Sequence, residues 1–203
     1  MTKTVFEPSI ASRPVYGVLQ PRSGYAHLMI ADAEGAEALL DLFVAAPADL
    51  PAASHVIYIP KQTGRRWVEA FDGLAPAQFY AGPTYEASVP RLRKALHDAR
   101  MGLQVYLAGT EGLIGQAMRE ATDAGIPHEA IQTEHRGSTA RRMQCVHCKG
   151  ITEDVTHDPF VCAHCGLNLF VRDHYSRRMA AFQAVCVDAE NPGDIPPTVE
   201  RFK

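Results

Sequence analysis

Two pairs of cysteines in the last third of the sequence constrain the fold more than any other feature. Cys145 and Cys148 form one C-x-x-C motif, and Cys162 and Cys165 form a second one after thirteen intervening residues. This spacing is typical of a tetrahedral Cys₄ metal site, because each motif forms a turn that aims two thiolates at a common point. We therefore predict that these four cysteines bind one metal ion in a small zinc-ribbon or rubredoxin-like domain.

The predicted metal is zinc, with iron as the alternative. Zn²⁺ has no geometric preference of its own and accepts a tetrahedron of four thiolates, whereas iron in the same site would indicate an electron carrier. The first turn lacks a glycine directly after Cys148, which favours zinc. Gly150 and Gly166 are expected to supply the backbone freedom for turns with positive φ. The sequence shows no secretory signal, so we expect reduced thiols rather than disulfides.

The other residues near the motifs are predicted to have ordinary roles. His147 and His164 are expected to be exposed turn residues, because four thiolates already complete a metal site. Cys186 is expected to be a small buried apolar residue. Several apolar side chains are predicted to wrap the metal site, namely Phe160, Leu167, Leu169 and Phe170.

Composition excludes some classes of function. The chain has 203 residues, of which 46% are hydrophobic and 21% charged, as in ordinary globular proteins. A net charge of −3 and a pI near 6.3 argue against a general binder of nucleic acid. No apolar run is long enough to span a membrane. We therefore expect a cytoplasmic protein that binds neither nucleic acid nor membranes.

Short apolar runs alternate with helical periodicity through most of the chain before the cysteines. Such alternation predicts an α/β fold with a doubly wound, mostly parallel sheet. Pro90 is expected in the first turn of the third helix, where proline is tolerated. The predicted strands cover residues 28–31, 55–59, 78–81, 103–108 and 130–133.

The predicted division of the chain follows from these patterns. Residues 1–13 are expected to form an N-terminal arm, and residues 14–136 the α/β lobe. Residues 137–203 are expected to contain the rest of a linker (136–142), the Cys₄ metal ribbon and a C-terminal tail. The ribbon is too small to bury much apolar surface, so its metal should supply much of its folding free energy.

The α/β part resembles the nucleotide-binding lobe of the ferredoxin-reductase superfamily, in particular the phthalate-dioxygenase-reductase type. Residues 105–112 resemble the strand, turn and helix that lie near the nicotinamide in that family. Residues 125–134 resemble its closing stretch, which ends in an acidic final strand. The resemblance implies a reductase-like fold for the lobe, followed by the Cys₄ ribbon.

The lobe departs from the reductase pattern at two turns. The first turn of that family is a glycine cluster, because the backbone approaches the pyrophosphate closely at a helix N-terminus. Here Asp32 and Glu34 put two carboxylates in that turn, and only Gly35 remains of the glycines. In the later turn, Ala108 replaces the family's cysteine. We therefore predict that the lobe keeps the fold and has lost the dinucleotide.

A second resemblance covers nearly the whole chain. Residues 12–16, 136–148, 162–178 and 187–193 resemble the small-subunit family of bacterial haem-dependent dimethylamine monooxygenases. The resemblance implies a non-catalytic or accessory subunit of a multi-subunit complex that N-demethylates dimethylamine. Haem, FMN and an iron–sulfur cluster are then expected only on partner subunits. The alternatives are a rubredoxin-like electron-transfer subunit, or a lobe that still binds a small ligand or NAD(P).

The sequence assigns no catalytic residue and no cofactor-binding residue in the lobe. Asp32 and Glu34 could form an acid–base pair, but carboxylates are also favoured electrostatically at a helix N-terminus. No other nucleophile or acid–base arrangement is predicted. Two segments that contain arginines, 136–142 and 172–178, are predicted to contact the haem-bearing or the reductase subunit. The second segment also contains Tyr175, and arginine and tyrosine are frequent in interface hot spots. Solvated ion pairs are the alternative.

Overall fold

The computed structural model describes residues 13–62 and 65–203, so all but one residue of the predicted N-terminal arm lies outside the described residues. The helices are α1 (Gly35–Ala45), α2 (Arg65–Gly73), α3 (Tyr85–His97) and α4 (Glu111–Asp123). The strands of the first sheet are β1 (Ala26–Asp32), β2 (Ser54–Ile59), β3 (Gln78–Ala81), β4 (Leu103–Gly109) and β5 (Ile131–His135). The remaining strands are β6 (Arg141–Cys145), β7 (Ile151–Val155), β8 (His157–Asp158), β9 (Phe160–Val161), β10 (Asn168–Ser176), β11 (Ala181–Cys186) and β12 (Val199–Glu200).

The first sheet has five parallel strands in the order β3-β2-β1-β4-β5. Each connection between neighbouring parallel strands contains a helix or a helical turn, as parallel pairing requires. The strand order reverses between β1 and β4, so the crevice at their carboxyl ends is the topological switch point of the sheet. The predicted doubly wound α/β fold is confirmed.

The first sheet is buried on both faces, which explains its nearly continuous apolar strands. Along β1, Met29 faces α1 and α2, whereas Leu28 and Ile30 face α3 and α4. All three side chains are at most 1% exposed. The strands are thus fixed by burial on both sides rather than by an alternating polar pattern. We refer to this sheet and helices α1 to α4 as the lobe.

Pro90 does not lie in the first turn of its helix, as the sequence had predicted. Thr84 caps α3, because its side chain accepts a hydrogen bond from the Ala87 amide at 3.2 Å. The helix therefore begins at Tyr85, and Pro90 is its sixth residue. The apolar periodicity begins only at Val89, so the prediction based on it started the helix too late in the chain.

The second sheet has the order β7-β6-β11-β10-β9 and contains both cysteine motifs. Strands β6 and β7 form one antiparallel pair, and β9 and β10 form another. Each C-x-x-C motif makes the turn of one of these two pairs. Strands β8 and β12 form a separate two-stranded antiparallel sheet. We refer to residues 141–186 as the ribbon.

The ribbon packs against α4 of the lobe through a glycine. A Cβ atom on Gly115 would overlap the Tyr175 hydroxyl and lie 3.1 Å from the Cβ of Ala180. Only glycine therefore permits this close approach between the helix and the ribbon. No helix in the described part of the chain is long and apolar enough to cross a membrane.

Candidate metal centre

The four cysteines of the two motifs converge on one point. Their Sγ atoms all lie within 4.8 Å of one another, with Cys145 and Cys165 at 3.9 Å and Cys148 and Cys162 at 3.7 Å. A metal 2.3 Å from each of four tetrahedral sulfurs requires sulfur–sulfur distances of about 3.8 Å. The donor set and its spacing thus fit one thiolate-bound metal ion.

Backbone hydrogen bonds shape both cysteine turns in the same way. The Lys149 amide donates to the Cys145 carbonyl at 3.0 Å, and the Gly166 amide donates to the Cys162 carbonyl at 3.1 Å. Lys149 and Gly166 take positive φ angles of 64° and 73°. The matched geometry aims two thiolates from each turn into the same space.

Gly150 is required for a different reason from the one predicted. Its φ angle is not positive, and Lys149 takes the left-handed conformation instead. A Cβ atom on Gly150 would overlap the imidazole ring of His164. The Nε2 atom of that ring lies 2.7 Å from the Ile151 carbonyl oxygen. His164 therefore joins the two turns to each other, a role that sequence spacing did not indicate.

The protein environment favours ionisation of Cys162. Burial of its thiol opposes ionisation, but the backbone amides of Cys165 and His164 donate hydrogen bonds and lower the pKa of this thiol to about 6. The Gly150 amide makes a similar contact, at 3.4 Å, with the Sγ atom of Cys148. Amide donors stabilise thiolates, which are the form that binds a metal.

The apolar wrapper around the cysteines is incomplete. Leu169 is buried in the same cluster as Cys145 and Cys162, and Phe160 and Leu167 pack against that cluster. Phe170 is 36% exposed and lies outside it, because neighbouring side chains on a strand point to opposite faces. The prediction that Phe170 wraps the site is wrong.

Cys186 is only half-buried, contrary to the prediction of a buried residue. Its thiol donates a hydrogen bond to the Asp188 carboxylate at 3.2 Å. The hydrogen bond to this carboxylate raises the pKa of the Cys186 thiol. Cys186 does not belong to the group of four converging cysteines.

The carboxylate of Asp32 is buried in the crevice between β1 and β4. It accepts hydrogen bonds from the backbone amide and the hydroxyl of Thr110, at 2.7 and 2.6 Å. Lys61 places its ammonium 2.9 Å from the same carboxylate. Polar side chains at or just after the carboxyl ends of three parallel strands thus meet at one edge of the sheet. Sequence analysis singled out Asp32 but missed Thr110 and Lys61, although each lies two residues beyond the end of a predicted strand.

The turn between β1 and α1 is also covered by the segment that follows β5. The Arg136 amide donates to the Gly109 carbonyl at 2.9 Å. Gly137 lies so close to Glu34 that a Cβ atom there would overlap the carboxylate. Gly35 begins α1 against the Ala108 carbonyl, where a side chain would also overlap. Backbone groups and carboxylates of the chain itself therefore lie around the N-terminus of α1.

The arginines of the predicted linker make contacts within the chain, and the contact of segment 136–142 with a partner stays a prediction. Arg136 pairs with Glu134 at 2.7 Å. Arg142 pairs with Glu153 at 2.7 Å and donates to the Met179 carbonyl at 2.8 Å.

Arg141 is the most deeply buried of these arginines. It is 9% exposed and pairs with Asp173 at 2.7 Å. Its guanidinium also lies 4.2 Å from the ring centroid of Phe182 and 4.3 Å from that of Phe202. These contacts attach the start of β6 to β10, to β11 and to the segment after β12.

The arginines of segment 172–178, unlike those of the linker, are exposed. Arg172, Arg177 and Arg178 are exposed in the structure. Tyr175 between them is half-buried because it packs against α4 and lies 4.9 Å, centroid to centroid, from Phe182. The arginines of 172–178 are thus available at the surface, whereas its tyrosine is part of the contact between ribbon and lobe.

Comparison of the sequence with known families gives two matches. The profile of the dimethylamine monooxygenase subunit DmmA-like N-terminal domain matches residues 8–131. The profile of the corresponding C-terminal domain matches residues 142–185. Both parts of the chain, the lobe and the ribbon, are thus matched by domains of one type of subunit.

A curated relative is the heme-dependent oxidative N-demethylase delta subunit of Ectopseudomonas mendocina (strain ymp). It is 34% identical over 101 residues, which cover 50% of this chain and 58% of that subunit. Among solved structures, phthalate dioxygenase reductase superposes with a TM-score of 0.46 at 10% identity, covering 70% of this chain and 47% of the reductase. An intact type IV self-sufficient cytochrome P450 monooxygenase gives a TM-score of 0.42 at 16% identity, covering 79% of this chain and 20% of that one.

Proposed function

The chain belongs to the DmmA-like family of dimethylamine monooxygenase subunits, and on that premise we propose that it is an accessory subunit of a haem-dependent oxidative N-demethylase. In this proposal it acts with subunits that carry the haem and with a reductase that carries flavin and an iron–sulfur cluster. The substrate class of the complex is a methylated amine such as dimethylamine. The observation that carries the proposal is the family match to both parts of the chain. The predicted cytoplasmic location belongs to the same proposal.

We propose further that the lobe no longer binds a dinucleotide. The buried Asp32 carboxylate, held by Thr110 and Lys61, occupies the crevice where this fold type binds pyrophosphate. Glu34 and the Arg136–Gly137 backbone cover the start of α1. A pyrophosphate would meet two carboxylates there, and unit charges 4 Å apart repel by about 4 kcal/mol near a protein surface.

The metal centre is proposed to be a structural zinc site held by Cys145, Cys148, Cys162 and Cys165. Zinc bound by four thiolates has no open coordination position, so it would link the two cysteine turns and stabilise the ribbon. The chain's own contribution is the pair of turns, their amide hydrogen bonds and the contact of His164 with Ile151.

Co-purification tests the assembly proposal. The chain should be expressed together with the haem and reductase subunits and recovered through an affinity tag on the haem subunit. We expect this chain to be retained in the active complex. An active, fully assembled complex that lacks the chain would contradict the proposal, as would amine demethylation by the purified chain alone.

Spectroscopy and calorimetry test the two cofactor proposals on the isolated chain. Metal analysis should give one zinc per chain, and the protein should be colourless in visible light. A red, iron-loaded protein would instead favour the rubredoxin-like alternative. Titration with NADPH should give no binding in the micromolar range, and a low-micromolar Kd would contradict the loss of the dinucleotide site.

A further inference from the structure

A cavity lies beside the contact between ribbon and lobe and is not used by any feature described so far. Its walls come from the segment before β1, from α4, from the start of β5 and from the end of β10, and its volume is about 320 Å³. Ligand pockets have volumes of about 300–1,000 Å³ and occur preferentially at interfaces between domains. The cavity therefore has room for one large side chain or one small ligand.

The inner part of the cavity is apolar. Ile114 and Ile131 line it and are only 2% and 8% exposed, so they form its floor. Met118 and Tyr16 also line it, and both are half-buried against the same core cluster of the lobe. Val15 belongs to the lining as well but is 85% exposed, which places it at the rim. An apolar floor that opens to an exposed apolar rim is suited to an apolar group that enters from outside.

The mouth of the cavity is basic. Arg13, His128 and Arg177 line it and are exposed, and none of the described residues that line it is acidic. Arg13 pairs with Asp173 of the ribbon. No ion pair of Arg177 is found among residues 13–62 and 65–203. The chain as a whole has a net charge of −3, so this mouth differs in sign from the rest of the molecule. Electrostatic complementarity therefore favours an acidic partner here.

We propose that the cavity receives a large apolar side chain from an acidic segment of another subunit of the N-demethylase complex. The side chain would lie on Ile114, Ile131 and Met118, and a carboxylate next to it would pair with Arg177. Protein interfaces are commonly anchored by a side chain that fills a pocket, with polar residues around it. The exposed Val15 and Arg177 extend the contact beyond the cavity, as a protein segment requires and a free small ligand does not. The inference rests on the accessory-subunit proposal, because it needs a partner subunit.

Photo-crosslinking in the co-expressed complex identifies the occupant of the cavity. The photoreactive residue p-benzoylphenylalanine replaces Val15, and the complex is recovered through an affinity tag on the haem subunit. We expect a cross-link to a segment of the haem or reductase subunit in which a large apolar residue lies next to Asp or Glu. Val44 is the matched position for a control, because it is also an exposed apolar residue, at 88%, but lies on α1. A cross-link from position 15 to residues 1–12 of this chain, to a segment without acidic residues, or to no protein at all would contradict the proposal.

A charged substitution at the rim measures how much the contact contributes to assembly. Val15→Glu places a carboxylate opposite the acidic segment, so the recovered fraction of this chain should fall about tenfold or more, as for the loss of an anchoring contact at an interface. Val44→Glu introduces the same charge on α1 and should leave recovery unchanged. Both valines are exposed, so both variants should unfold at the temperature of the wild type, which separates a lost contact from a lost fold.

The outcomes distinguish this inference from the proposal on which it rests. Equal recovery of Val15→Glu and Val44→Glu in a complex that retains the wild-type chain would overturn the inference and leave the accessory-subunit proposal intact. An active, fully assembled complex that lacks the wild-type chain would instead overturn both.

Discussion

Asp32 shows how one buried carboxylate can stabilise a sheet edge. Two hydrogen bonds tie it to Thr110 at the end of β4, and Lys61 supplies the opposite charge after β2. A Cβ atom on Gly109 would overlap this carboxylate, so β4 must end in glycine there. The residue thus connects three neighbouring strands in the position where a dinucleotide-binding protein would leave space for a ligand.

Replacing Asp32 with Asn should therefore destabilise the lobe. An amide keeps the shape of the side chain but turns one acceptor into a donor, which leaves a Thr110 or Lys61 donor unpaired. We expect the free energy of unfolding in urea to fall by about 2 kcal/mol, as for the loss of a hydrogen bond to a buried charged group. Glu37→Gln is the control, because the pair that Glu37 makes with Arg66 at 3.4 Å is exposed, and such pairs contribute about 0–1 kcal/mol. Equal effects of the two substitutions would show that Asp32 has no special structural role.

Two histidines of the sheet should make stability depend on pH near neutrality. Burial lowers the pKa of both His27 and His55 in the folded protein, and Arg91 lowers that of His55 further. In the unfolded chain both titrate near 6.5. The unfolded state therefore binds more protons as the pH falls below about 6.5, so the folded state loses stability in that direction.

We expect denaturant unfolding to give a lower stability at about pH 5.5 than at about pH 7.5, a range in which carboxylates stay largely ionised. The variant His27→Phe with His55→Phe should show a smaller difference between the two pH values. His97→Gln, which changes an exposed histidine, serves as the control and should behave like the wild type. The same pH dependence in the double variant would mean that other groups are responsible, for example the thiols of the four converging cysteines.

Helix α4 connects the two parts of the protein, and two of its glycines allow a matched test. Alanine is favoured over glycine in a helix by up to about 1 kcal/mol. Gly112→Ala should therefore be neutral or stabilising, since a Cβ atom there meets nothing within 4 Å. Gly115→Ala should be destabilising in thermal unfolding, because its Cβ atom would overlap the Tyr175 hydroxyl.

A second substitution identifies the cause of the Gly115→Ala effect. Tyr175→Phe removes the hydroxyl that the new methyl group would overlap, so adding it to Gly115→Ala should recover part of the lost stability. If the added Phe brings no recovery, or if Gly112→Ala is equally destabilising, the close packing of α4 against β10 is not the explanation.

The ribbon should depend on its metal far more than the lobe does. Its buried cluster contains few apolar residues besides the cysteines, and small domains of this kind rely on metal binding for folding. Cys148→Ser should abolish stoichiometric zinc and unfold residues 141–186 while leaving the first sheet protected in hydrogen exchange. Cys186→Ser is the control, because Cys186 lies outside the group of four, and it should keep both zinc and ribbon. Retention of a folded ribbon without metal would contradict this view.

The lobe could be predicted from sequence because its strands are buried on both faces and therefore appear as apolar runs such as 28–31 and 103–108. The four cysteines could be predicted because a metal site requires fixed ligand types at short spacing. The features that were missed depend on contacts between distant residues. Local patterns did not show that Arg141 would be buried against Phe182 and Phe202, or that Gly150 would face His164.

The exposed arginines of the ribbon are the part of the surface that we expect to contact the other subunits. The linker arginines are used in internal ion pairs, whereas Arg177 and Arg178 are exposed next to the contact between ribbon and lobe. Arginine is enriched among residues that contribute most to binding at interfaces. Replacing both with alanine should therefore weaken assembly while leaving the zinc content and thermal stability of the chain unchanged.

Affinity purification of the co-expressed complex, followed by quantitative mass spectrometry, measures this effect. If the two arginines act as an interface hot spot, the recovered fraction of this chain should fall about tenfold or more, since a hot-spot residue contributes about 2 kcal/mol or more to binding. The control replaces Arg66 and Arg100, two exposed arginines of the lobe, with alanine and should leave recovery unchanged. A general effect of lost positive charge would lower recovery of both variants equally and would contradict a specific contact. Full recovery of the Arg177→Ala and Arg178→Ala double variant would contradict an interface at this part of the ribbon. Arg172 would then be the one arginine left in segment 172–178, which is too little to form the predicted contact.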